Sequence, residues 1–188
     1  MSTTVETQGV RGLSGTYTLD ASHSRVGFVA RHAMIAKVRG SFDEVTGSAT
    51  IDGANPSASS LEVTIQTASI DTRDANRDAH LRSADFFDAD NNPTITFVGK
   101  GFQITDDATV EVTGDLTIRG VTNSVTVPFE FGGVAVDPFG NERVGFEGSV
   151  VVNRKDWGLT WNAALEAGGV LVSDKVTLEL EVSAIKSA

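Results

Sequence analysis

Val110-Glu-Val-Thr-Gly-Asp-Leu-Thr-Ile118 and Val125-Thr-Val-Pro-Phe-Glu-Phe131 decide the fold class. In both runs every second residue is apolar or Gly, and the residues between are Glu, Thr, Asp or Pro. A period of two belongs to a strand with one buried and one wet face. Antiparallel sheets present their strands in this way. Pro128 has no N–H to give to a ladder, so it belongs at a sheet edge or a bulge.

The same rhythm returns in Leu61, Val63 and Ile65, in Val144, Phe146, Gly148, Val150 and Val152, and in Val176, Leu178, Leu180 and Val182. Turn pairs such as Asp52-Gly53, Asp137-Pro138 and Gly140-Asn141 fall between the rows. Roughly eight or nine short, turn-separated strands predict an all-β sandwich or barrel. Gly27, Gly114 and Gly148 lie within strands, where they mark bends or remove side-chain volume and help leave a channel.

One segment breaks the alternation, Asp71-Thr-Arg-Asp-Ala-Asn-Arg-Asp-Ala-His-Leu-Arg-Ser-Ala84. Asp71 or Thr72 can cap a helix there, and Asp74 complements its N-terminal dipole. Asp78 and Arg82, four apart, can pair along one side. The segment is polar nearly all round, so it reads as a short lid over a barrel end, helical over about 72–84. Phe86 and Phe87 supply its apolar anchor.

At 188 residues and 19.8 kDa the chain fits one domain, taken as 15–188 behind a flexible arm of residues 1–14. With no Cys, it has no disulfide framework, cysteine nucleophile or thiolate zinc site. A net charge of -10 argues against broad nucleic-acid or anionic-membrane binding. The first residues lack the apolar run and basic cluster of a secretory signal. No stretch reaches the ~18 apolar residues of a membrane helix. The expectation is a cytoplasmic protein without stable membrane insertion.

No GxxxxGK[ST], HExxH or GxSxG motif is present. His23, His32 and His80 lack close ligand spacing, and a separation of nine positions between His23 and His32 on one strand would put them on opposite faces. No metal or cofactor is expected. Ser24 beside His23 reads as a strand-start hydroxyl bonded to backbone rather than a nucleophile. Arg25, Arg73, Arg77, Arg82 and Arg154 flank strand starts or the lid, where they either pair with Asp or orient an anionic head group. Trp157 and Trp161 are barrel-end packing, a cavity wall, or both.

Several motifs in order carry a resemblance. They are Tyr17-Thr-Leu-Asp-Ala-Ser-His-Ser24, Phe28-Val-Ala-Arg-His32, Arg39-Gly-Ser-Phe42 and Ser69-Ile-Asp-Thr72. Arg77-Asp-Ala-His-Leu-Arg-Ser-Ala-Asp-Phe-Phe-Asp88, Pro93-Thr-Ile-Thr-Phe97, Val112-Thr-Gly-Asp-Leu-Thr-Ile-Arg-Gly-Val-Thr122 and Val152-Asn-Arg-Lys-Asp-Trp-Gly158 follow. Together they resemble the YceI family of lipocalin-like polyisoprenoid-binding proteins, over about 16–185. The resemblance implies an extended eight-stranded antiparallel barrel with a lid helix and a lumen for a long isoprenoid or similar lipid.

Carried over by position, the resemblance puts His23, Ser24 and His32 near the entrance, and Arg25 and Phe28 are taken as further ligand contacts. Asp78, His80 and Leu81 fall on the helix, with Phe86 and Phe87 behind. Arg154 closes the mouth near Trp157. Alternation faces Gly114 to the lumen wall, and both it and Trp161 are taken as ligand contacts. Relatives often carry a phenylalanine-like residue where Trp157 stands, so the indole would shorten or reshape the cavity. The function implied is a non-catalytic lipid carrier, with a homodimer through the sheet surface as a further option. The alternatives are an enzyme for a small apolar substrate using His32, His80 and Asp78, or an interaction protein with a solid core.

Overall fold

The computed structural model describes residues 9–165 and 168–187. Its strands are β1 (Ser14–Leu19), β2 (Arg25–His32), β3 (Ala36–Phe42), β4 (Val45–Asp52), β5 (Ser60–Gln66) and β6 (Ile70–Asp71). They continue with β7 (Thr94–Asp106), β8 (Thr109–Ile118), β9 (Val121–Val136), β10 (Glu142–Asn153) and β11 (Lys175–Lys186). The one α-helix among the described residues, α1 (Ala75–Arg82), lies between β6 and β7.

The short strands join into long ones. β1 and β2 both lie on β11, at residues 184–186 and 177–181. β3 pairs with β2 and β6, and β4 pairs with β1 and β5. So β1–β2, β3–β4 and β5–β6 each act as one bent strand, and β7 to β11 follow in a meander. Contact of β1 with β11 closes an eight-stranded antiparallel barrel. Closure removes the free edges of an open sheet and collects the apolar rows inside.

At the break between β1 and β2, Ser24 replaces the lost ladder. Its hydroxyl accepts from Ser183 N at 3.0 Å and donates to Ser183 O at 3.2 Å. The backbone-bonded reading of Ser24 is the one the geometry gives.

The β9–β10 ladder stops at Phe129 and Gly148, one residue from Pro128. Residues 121–128 pair only with β8, and residues 149–153 only with β11. Pro128 thus stands at a local edge inside a closed barrel, as its missing N–H requires.

The strand glycines do not open the lumen, contrary to that expectation. Phe28 lies opposite Gly40, and Phe129 lies opposite Gly148. A Cβ on Gly148 would stand 2.8 Å from the Phe129 ring, and one on Gly114 would stand 2.6 Å from that of Phe97. The missing side chains let aromatic rings lie flat on the wall. Gly27 serves the outer face, where the Arg25 guanidinium occupies its space.

The base is closed by residues expected to be part of a free arm. Val10 and Leu13 are 2% exposed. Val10 N donates to Asp107 O at 2.9 Å, and Gly53 N donates to Leu13 O at 2.7 Å. A side chain at Gly53 would press on the backbone of Arg11, at 2.6 Å. The rest of that arm, residues 1–8, lies outside the described residues.

Also near the base, Arg143 bridges Asp20 at 2.6 Å and Asp137 at 2.7 Å. Its guanidinium holds both carboxyls well below the usual range, helped by Ser22 and His23 at Asp20 and by Asn141 at Asp137. A lowered carboxyl pKa stabilises the fold above the unfolded value, roughly 4, and that contribution is lost as pH falls. Thermal melts of Arg143→Gln should show a lower Tm at pH 7 and a flatter fall in Tm below roughly pH 4. An acid limb as steep as that of the parent would remove this pair from the account.

Candidate functional site

The barrel interior is not filled. A cavity of about 320 Å³ runs from Val10 and Ile51 at the base, past Val112, Val127 and Leu180, to Leu81, Phe86 and Leu159 under the lid. Its surface is almost wholly apolar. An open lumen counts against the solid-core reading.

The lid is built on buried polar anchors. Asp74, not Asp71 or Thr72, caps α1 by accepting from Asn76 N and Arg77 N, both at 3.0 Å. Arg73 has φ +64°, which keeps residues 71–73 out of the helix and makes it shorter than the expected 72–84. Asp78 is 7% exposed and accepts from Thr72 N at 2.9 Å and Thr72 Oγ1 at 2.6 Å. It ties the helix to the loop before it and does not pair with Arg82, which donates to Ala68 O.

Above the lumen, the His80 ring meets Trp161 edge-on at 4.6 Å and Phe86 at 5.1 Å. Its Nε2 lies 2.8 Å from Asp85 Oδ2. A second aromatic row, Phe28, Phe42 and Phe87, is spaced at 5.9 and 5.8 Å between neighbours. All three of these rings line the cavity.

Arg154 also lines it, yet its donors are already used. Nη1 donates to Leu159 O at 2.5 Å and Trp161 O at 2.9 Å. Nε donates to Ser173 O at 2.8 Å, and Nη2 to Val172 O at 3.3 Å. Burial pushes its pKa down, and Asp174, 3.8 Å away, opposes that shift. Arg154 holds the β10–β11 connection over the barrel end; it has little left for an anionic head group.

Trp157 is 3% exposed, lines the cavity, and donates from Nε1 to Leu116 O at 2.9 Å. Trp157→Phe removes that bond, with Leu116 O keeping its ladder partner in β9, and leaves a gap beside the ring. We expect a loss of about 1–3 kcal/mol, read by denaturant unfolding. Stability within error of the parent would argue that water or a neighbour replaces the indole.

The sequence-derived site thus divides. Phe28, Leu81, Phe86, Phe87, Arg154 and Trp157 line the cavity, whereas Trp161 and His80 pack above it. Gly114 is under the Phe97 ring. His23 is exposed beside Asp20 at 2.8 Å, and Arg25 pairs on the outer face with Glu179 at 3.2 Å. His32 is exposed at the rim, in a single bridge with Val172. His32, His80 and Asp78 make no hydrogen bonds to one another. Phe42, Leu159 and Val172 line the lumen and were missed as site residues. The parity of Phe42 with the inward-facing Phe28 was the available signal.

The model of the YceI-like domain family matches residues 17–184. The chain belongs to the YceI-like family. A UPF0312 protein of Ectopseudomonas mendocina is 38% identical over 154 residues, covering 81% of either chain. One of Staphylococcus aureus is 38% identical over 164 residues, 87% of this YceI-like chain and 93% of that one. Among solved structures, the Campylobacter jejuni YCEI protein superposes with TM-score 0.72 at 32% identity, covering 84% and 90% of the two chains. Burkholderia cenocepacia BcnA gives TM-score 0.77 at 25% identity, covering 88% and 98%. A polyisoprenoid binding domain from Saccharophagus degradans shares the fold, with TM-score 0.69 at 16% identity over 91% and 98%.

Proposed function

We propose that this protein is a non-catalytic carrier that holds the tail of a long-chain amphipathic lipid in its barrel. The observation that carries this is the apolar cavity of about 320 Å³ running from lid to base. Burial is worth about 0.8 kcal/mol per CH₂, so about ten methylenes supply about 8 kcal/mol. That is comparable with the roughly 4–15 kcal/mol that association costs, so a long tail binds and a short one does not. The wall has few polar groups with which to select a head group, and length and girth of the tail set the preference. A polyisoprenoid, the ligand class named for the Saccharophagus domain, is the first to test.

Native mass spectrometry of the purified protein should give a bound species that organic solvent extracts as a long-chain lipid. Protein that is ligand-free and takes up no added polyprenol would defeat the proposal.

A further inference from the structure

The loop joining β2 to β3 is built against the usual rules for its turn. Ile35 N donates to His32 O at 3.2 Å, closing a turn in which Ala33 has φ +50° and Met34 has φ +64°. Two successive positive φ values are the geometry that Asn-Gly favours, because larger side chains resist it. Here the sequence holds Ala and Met in that strained shape, and the turn projects Met34, 61% exposed, and Ile35, 84% exposed. Val170, from the β10–β11 connection, adds a third exposed apolar side chain beside them. Ala33 N donates to Leu171 O at 2.7 Å, so the two loops form one tip.

The charge of the β2–β3 segment is unlike that of the rest of the chain. Residues 21–42 contain no Asp or Glu, in a protein with 25 of them. Arg31 and Lys37 stand directly opposite each other across β2 and β3, a like-charge pairing that destabilises a sheet. Among the described residues neither side chain has a carboxylate partner, whereas Arg25 and Arg39 share Glu179. The cavity reaches the same place, because Ala30 and Val172 line it and Val172 bridges His32.

We infer that the Met34–Ile35 tip is a docking surface for a phospholipid bilayer, with Arg31 and Lys37 at the level of the phosphates. The inference rests on the lipid-carrier reading and extends it: the tip sets the rim of the lumen against the lipid it takes up. Apolar side chains flanked by cations suit the interface between acyl chains and head groups. The acidity of the whole chain opposes approach only at long range. At about 0.15 M salt the screening length is about 8 Å, so distant carboxylates are muted while contacts at the tip persist.

The test is co-sedimentation at that salt with vesicles of phosphatidylcholine containing a minor fraction of phosphatidylglycerol. Met34→Ser with Ile35→Ser should lower vesicle partition about tenfold or more. Arg31→Gln with Lys37→Gln should lower it about fivefold or more. Ala33→Asn with Met34→Gly relaxes the turn, and should raise Tm while weakening vesicle binding. Equilibrium uptake of polyprenol from detergent should be unchanged in all three, and transfer from vesicles should slow.

Vesicle binding that survives the tip substitutions overturns the docking surface and leaves the carrier reading intact. Failure of every protein, the parent included, to take up polyprenol from detergent defeats the carrier reading, while vesicle binding is measured separately. A sedimentation shift from dimer to monomer in the Met34, Ile35 variant would assign the tip to a second copy and overturn the inference.

Discussion

Ala49→Trp is expected to weaken lipid binding about fiftyfold while leaving the barrel folded. Ala49 lies in β4 between Tyr17 and Leu61 and lines the cavity. An indole there projects into open space instead of into packed side chains, so the usual overpacking cost of about 1–3 kcal/mol is largely avoided. Excluding about three methylenes of the tail would cost about 2.4 kcal/mol of binding, close to a fiftyfold loss. Titration with a fluorescent polyprenol reads the affinity, and circular dichroism with a thermal melt checks the fold. Unaltered affinity in a folded variant would mean that the tail lies elsewhere. Gly114→Leu is a poor substitute, because its side chain would collide with Phe97 and the Val98 backbone.

Arg154→Met should give the largest loss of stability of any single change considered. The guanidinium satisfies four carbonyls in the β10–β11 connection, those of Leu159, Trp161, Val172 and Ser173. Leaving even some of them buried and unpaired costs about 1–3 kcal/mol each. A total of about 4 kcal/mol corresponds to a Tm drop of about 8–16 °C for a chain of this size. Arg154→Lys should rescue little, since a point charge on a flexible stem cannot reach carbonyls spread across a planar fork. Hydrogen exchange should rise around residues 159–165 and 168–173 before it rises in the strands. A Tm within about 2 °C of the parent would show that these bonds are replaced by others.

How much of this was legible follows one rule: period two reports the inward side, and little else. Val110, Val112, Leu116, Val125, Val127 and Phe129 are all core residues, as their alternation requires. The same parity applied from Phe28 sends Arg25, Gly27 and Arg31 outward. Arg25 was grouped with the basic residues near one barrel end, because a position at a strand start leaves the face open. The partners of Arg154 were hidden for another reason. They are main-chain carbonyls brought near by a loop, and no residue type announces them in advance. The strand breaks at Ser24 and between β3 and β4 were hidden likewise, since they follow from how one long strand bends to meet two partners. The lid helix was found, but Arg73 delayed its start through a backbone angle invisible in composition.

The interruption beside Pro128 has a mechanical consequence. Across that slit the described residues are joined by Asn123 to Asp156 O at 2.8 Å and by Trp157 to Leu116 O at 2.9 Å. Each such bond is worth about 0.5–1.5 kcal/mol, far less than a run of ladder bonds. At the lid end, side chains thus fasten the wall where ladder bonds fasten it at the base. Trp157 is both part of the lining and one of those two fasteners.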